Sequence, residues 1–132
     1  MKKILSLIAP IILLSLISFS CKKTKETTAQ KLQHKWTIVS EVDNSHDSGG
    51  DDIDTSVGVP GDFLNFNANG TVTSQFEGAA DNVTYSLISD TEISISGETF
   101  TIKTLNDTQL VLYVKDVISA TDYDESTINL KR

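Results

Sequence analysis

Few residues in this chain are of types that do chemistry, and they are scattered. Histidine occurs only at His34 and His46. Two histidines exclude a histidine metal triad, and their spacing places them on different segments. The serines and threonines form no nucleophile elbow, no Gly-rich phosphate loop interrupts the chain, and no metal-ligand pair stands at a recognisable spacing. Hydroxyl residues alternating along strands are the expected solvent-facing ones. No acid–base pair stands out, so no catalytic residue is assigned and no enzymatic activity is expected. The strongest cluster of one type is Asp47, Asp51, Asp52 and Asp54, which offers the oxygen ligands calcium prefers. Asp52-Ile53-Asp54-Thr55-Ser56 begins like a calcium loop, but glycine falls at Gly58, one residue late, and Phe63 stands where a bidentate glutamate belongs. The EF-hand reading therefore fails, leaving a looser calcium site or a solvated flexible loop. No metal ligand and no cofactor is assigned.

Cys21 is the sole cysteine, which excludes an internal disulfide. Ahead of it, Met1-Lys2-Lys3 and the apolar run Ile4–Phe19, interrupted by Pro10, have the form of a charged n-region followed by an h-region. As a helix that run would span roughly 24 Å, short of the roughly 20 residues a stable membrane span uses, so residues 1–20 are expected to be a cleaved leader. The end of the leader, Leu16-Ile17-Ser18-Phe19-Ser20-Cys21, resembles the lipobox of bacterial lipoproteins. That resemblance implies a Cys21 that is acylated and becomes the mature N-terminus. At about 0.8 kcal/mol per buried CH₂, three acyl chains would hold the protein to a membrane permanently. An ordinary signal peptide or an uncleaved anchor is the alternative for the same segment.

Residues 21–30 are polar and lack an apolar period, which predicts a flexible tether whose Lys22, Lys23 and Lys25 can rest against anionic headgroups. No acidic stretch follows the cysteine, which favours the periplasmic face of the outer membrane over the cell surface. The chain carries 11 basic and 18 acidic residues for a net charge of −7, and loss of Lys2 and Lys3 with the leader takes it to −9. That sign disfavours nucleic acid as a partner. The length allows one domain, taken as residues 31–132.

From Trp36 onward the pattern is period-two alternation punctuated by turn residues, the mark of short antiparallel strands. Trp36–Val42 reads as the first, with Trp36, Ile38, Ser40 and Val42 on one face. Asp43–Gly61 is polar and longer than a hairpin connection, so it is read as a loop, functional or disordered, able to act as a lid. Phe63–Phe66 and Thr71–Phe76 flank Asn67-Ala68-Asn69-Gly70, a hairpin signature because Asn-Gly supplies positive φ; Leu64, Phe66, Val72 and Phe76 face inward. Strands follow at Val83–Ile88, Glu92–Ile95, Thr99–Leu105, Gln109–Lys115 and Ser126–Arg132, with short turns between most of them.

Eight such strands predict an all-β, up-and-down antiparallel barrel, since closure removes the sheet edges. Leu32-Gln33-His34-Lys35-Trp36, Phe63-Leu64-Asn65-Phe66-Asn67-Ala68-Asn69-Gly70-Thr71 and Leu105-Asn106-Asp107-Thr108-Gln109-Leu110-Val111-Leu112 together resemble the lipocalin-like domain of small bacterial lipoproteins, over residues 31–132. The family tends to place glycine two positions before the tryptophan, where this chain has His34. The resemblance implies a tryptophan at the closed end covered by a basic side chain, here Arg132. It also makes a small apolar ligand among Trp36, Phe66, Phe76, Tyr85, Phe100 and Leu112 one expectation. The other is that these side chains are simply core, and that a monomeric barrel contacts another envelope protein through its surface or its acidic loop.

Replacing Cys21 by serine is expected to release the protein from the membrane fraction; retention there after a high-salt wash would show that an uncleaved leader is the anchor.

Overall fold

The computed structural model describes residues 25–132. The first element is a short helix, α1 (Thr28–Leu32), set by a capping box: the Gln30 amide donates to Thr27 Oγ1 at 3.2 Å and the Thr27 amide to Gln30 Oε1 at 2.9 Å. It begins three residues before the end of the stretch read as a tether, of which Cys21–Thr24 lie outside the described residues. The helix ends on buried Leu32, whose carbonyl accepts from Trp36 Nε1 at 2.9 Å. The one polar atom of the buried indole is thereby satisfied.

Nine antiparallel strands follow: β1 (Lys35–Asp47), β2 (Gly50–Val57), β3 (Phe63–Phe66), β4 (Thr71–Phe76), β5 (Ala79–Leu87), β6 (Glu92–Ile95), β7 (Glu98–Leu105), β8 (Gln109–Val117) and β9 (Tyr123–Lys131). From β3 to β9 each pairs with the next, and β9 returns to pair with β1, closing a barrel. β1 is long enough to serve two partners along its other edge. Lys35–Thr37 pair with β3, and Ser40–Asp47 pair with β2. β2 and β3 thus run end to end along one edge, and nine strands fill eight positions, as the alternation predicts.

Two expectations are corrected at this point. The polar stretch 43–61 is mostly a strand hairpin turning at Ser48 and Gly49, not a lid. Its alternation is real but carried by aspartate and serine, so a search for apolar periodicity passes over it. The face assigned to the first strand also changes partway along. Ile38 lies opposite Leu130 and Ser40 opposite Asn129, leaving Val39 unmatched on β9. This bulge slips the side-chain phase by one residue: Trp36 and Ile38 point inward, then Glu41, Asp43 and Ser45 do, while Ser40 and Val42 turn outward.

The break between β2 and β3 is braced by backbone contacts. Gly58 donates its amide to Val39 O at 3.0 Å and Ile38 donates to Asp62 O at 3.1 Å. A Cβ at Gly58 would fall 2.2 Å from Ile38 O, so only glycine fits that approach. Asp62, 2% exposed, accepts from the Val59 amide and from the Glu77 amide, each at 3.0 Å. Its buried carboxylate ties the break to the β4–β5 turn.

The core lies at one end, between α1 and the lower halves of the strands: Leu32, Trp36, Ile38, Phe66, Val72, Ile93, Ile102, Leu110, Leu112 and Leu130 are buried. Phe66 meets Tyr85 edge to face at 5.2 Å, and the Tyr85 hydroxyl donates to Asn67 O at 3.0 Å, pinning the Asn67–Gly70 turn. Arg132 places its Cζ 5.6 Å from the Trp36 ring centroid, within cation–π range and as the resemblance implies. The ring of His34 meets the indole edge to face at 6.5 Å.

Trp36→Ala is expected to destabilise the protein by about 3–5 kcal/mol; an unchanged thermal melt would remove Trp36 from the core.

Candidate functional site

Above the Val39 bulge the barrel splays. β4 stops at Phe76, near the level of Phe63, and β7 pairs with β8 only as far as Tyr113. The upper parts of β2, β1, β9 and β8 therefore form a four-stranded sheet whose inner face has no sheet opposite it. Register fixes which residues line that face. Ser126 and Asp124 continue the inward phase of Leu130 and Ile128 along β9; opposite them lie Asp43 and Ser45 on β1, and Val114 and Asp116 on β8. On β2, Asp54 lies opposite Asp43, and Asp52 opposite Ser45.

Asp43, Ser45, Val114, Asp116, Asp124 and Ser126, with Glu98 from β7, surround an open cavity of about 320 Å³. Its lining includes the inward-phase carboxylates of Asp43, Glu98, Asp116 and Asp124 and, among the described residues, no cationic side chain. In two places like charges stand directly opposite across a ladder, Asp43 with Asp54 and Asp116 with Asp124, an arrangement that opposes folding. On the outer face, Asn44 lies opposite Glu125 and its buried Oδ1 has no hydrogen-bond partner among the described residues. Among the described residues no three His, Cys, Asp or Glu side chains converge to hold a metal ion.

The outer face of the same sheet carries the basic residues His46 and Lys115. His46 stacks on Tyr123 at 4.7 Å and its Nδ1 contacts the Asp51 carboxylate. Lys115 lies 3.2 Å from the Tyr123 centroid and 3.1 Å from Glu125 Oε1. The Tyr113 hydroxyl donates to the same carboxylate oxygen at 2.7 Å, and Lys103 sits 4.2 Å from the Tyr113 centroid. The Tyr113 hydrogen bond, followed by that from Lys115, holds the Glu125 carboxyl below its ordinary range. The same bond to a carboxylate raises the Tyr113 phenol.

The residues singled out from sequence lie elsewhere. Trp36, Phe66 and Leu112 are buried together at the closed end, with Phe76, Tyr85 and Phe100 packed against them. Cys21 lies outside the described residues. His34 precedes β1 and His46 lies near its far end, so the two are held apart. Sequence reasoning missed Asp43, Glu98, Asp116 and Asp124 as a group. A signal was present, since Glu41-x-Asp43-x-Ser45-x-Asp47 and Asp52-x-Asp54-x-Ser56 alternate with period two, but polar alternation reads as the outside of a strand. No protein-family model matches the chain, and no curated protein matches it.

Tyr113→Phe is expected to move the Glu125 titration, followed by carboxyl NMR, upward toward the ordinary carboxylate range. Because the folded carboxyl titrates low, its stabilisation is fully present above the unfolded value and fades as pH falls through the folded one. Partial exposure limits the loss in the variant to about 1 kcal/mol.

Proposed function

We propose that this chain is a non-catalytic recognition module of the bacterial cell envelope, lipid-anchored through Cys21 at the periplasmic face of the outer membrane, which contacts a cationic partner protein through the splayed acidic end of its barrel. The observation that carries this reading is the pair of like-charge registers, Asp43 with Asp54 and Asp116 with Asp124, beside a cavity lined with carboxylates and, among the described residues, no cation. Aspartates set opposite one another weaken the free protein, and local rules broken without internal compensation mark functional surfaces. A cationic partner supplies the missing countercharge.

The geometry suits that role. α1 joins the barrel beside Trp36, so a tether ahead of it arrives at the closed end. From Trp36 to Asp47, at about 3.3 Å per residue, β1 carries the mouth roughly 35 Å away from that point. The domain would present its open end to the periplasm. The other expectation, a small apolar ligand within the barrel, has less support: Trp36, Phe66 and Leu112 pack against one another in the space such a ligand would take.

A photoreactive residue at Ser45, in the mouth, is expected to cross-link one envelope protein in cells, whereas the same residue at Thr108, in the β7–β8 turn, gives no such adduct. Asp116→Asn should lose the adduct and stabilise the purified protein by about 0.2–1 kcal/mol. Equal labelling at both positions, or a small apolar molecule retained by the purified protein in native mass spectrometry, would refute this reading.

A further inference from the structure

Among the described residues β2 is bonded on one side only. Its ladder runs to β1, and β4, which pairs with β3 farther down the same edge, ends at Phe76 level with the start of β3. The hydrogen bond from Gly58 N to Val39 O sets the phase of the β1–β2 ladder. Residues at even positions, Asp52, Asp54 and Ser56, exchange bonds with β1, so the backbone groups of Asp51, Ile53, Thr55 and Val57 point away from the barrel. The Thr55 amide is taken by the Asp54 carboxylate at 2.8 Å. The others form a free, strand-shaped row of donors and acceptors.

The two faces beside that row differ in chemistry. On the outer face Ile53 and Val57 are 64% and 73% exposed, and Asp51 beside them has its carboxylate engaged by His46. On the inner face Asp52 and Asp54 continue the acidic lining of the mouth. A strand laid along this edge would alternate its own side chains between the two, meeting apolar groups on one side and carboxylates on the other. A second copy of β2 is a poor occupant, because it would bring three more aspartates against Asp51, Asp52 and Asp54.

We infer that the outer edge of β2 is a docking edge for an extended peptide segment in which lysine or arginine alternates with apolar residues, added to the sheet as a further strand. This rests on the reading of the open end as a recognition surface and specifies how the partner is held. Main-chain bonds give the segment its purchase; Asp52 and Asp54 select its cationic positions, and Ile53 and Val57 its apolar ones.

The test uses the intact lipoprotein in detergent micelles and a short peptide of alternating lysine and valine. Binding is expected to slow amide exchange at Asp51, Ile53 and Val57. A peptide of the same composition with its lysines and valines in separate blocks keeps the main-chain bonds but mismatches both faces, and should bind at least about tenfold more weakly. Ile53→Pro removes an outward amide at an edge where proline is tolerated and should weaken binding by a similar factor. Asp52→Asn combined with Asp54→Asn keeps the edge intact and should lower affinity while flattening its dependence on salt. Equal binding of the block peptide, exchange protection confined to the mouth, no binding of the alternating peptide, or peptide-free dimerisation through β2 would each overturn the inference. If the Ser45 cross-link persists in any of those cases, only strand addition falls; if it is lost as well, so does the reading of the mouth.

Discussion

The architecture depends on the seam at residues 58–62, where one long edge of β1 passes from β2 to β3. Five residues there face two on β1, and the surplus chain must leave the ladder without stranding its polar groups. Gly58 takes the closest approach, with its α-carbon so near Ile38 O that no side chain fits. Asp62 takes the bonding: its carboxylate receives two backbone amides, and its carbonyl receives a third from Ile38. A buried carboxylate is tolerable only when its oxygens are so occupied. In return it fixes three segments that have no other reason to meet: the seam, β1 and the β4–β5 turn.

The bulge at Val39 lies beside this seam and reverses the sense of every side chain beyond it. Below, the inward positions of β1 are Trp36 and Ile38, and the barrel is dry. Above, they are Glu41, Asp43 and Ser45, and the sheet opens. The same ladder therefore supports two solvent regimes, with the phase slip as their boundary. Apolar burial is concentrated below the slip, where α1, Trp36 and Arg132 close the barrel. Above it, cohesion comes from backbone ladders and from the outer-face network of Tyr113, Tyr123, Lys115, Glu125 and His46. Regions with few buried apolar contacts open at lower free energy than the core, so the mouth is the part of this fold best able to adapt to a partner.

Much of the closed half was legible in sequence because its chemistry obeys the usual rule. Apolar residues at period two in Thr71–Phe76, Val83–Ile88 and Gln109–Lys115 mark strands, Asn69-Gly70 marks a turn with Gly70 at φ +82°, and Arg132 shares the phase of Ile128 and Leu130. The open half was misread because there the rule inverts. Ile53 and Val57 face water, and aspartates face the lumen, so Asp43–Val57 has the composition of a loop and the pairing of a hairpin. Nothing in Ile38-Val39-Ser40 marks a bulge, because a single extra residue in an edge shared by three strands is decided by their registers and not by its own type. Asp62 was equally opaque: beside Pro60 and Gly61 it reads as an ordinary turn residue, and only its amide partners reveal it as a brace.

A free strand edge is normally a hazard that sequences suppress with charge, proline or cover. Here the charge is present, but arranged in a way that suppression alone does not explain. Protection against self-pairing requires only that a copy be repelled, which Asp51, Asp52 and Asp54 accomplish, and it would be served better without exposed Ile53 and Val57 beside them. Asp52 and Asp54 on one face and Ile53 and Val57 on the other, where His46 engages Asp51, repel another β2 yet leave a surface complementary to the opposite pattern. The cross-strand aspartate pairs point the same way, since they weaken the free mouth and would be relieved by cations brought from outside. On the proposed reading, self-avoidance and partner selection follow from one arrangement of side chains, in which the cost of like charges in the free protein would become discrimination once a cationic strand is bound.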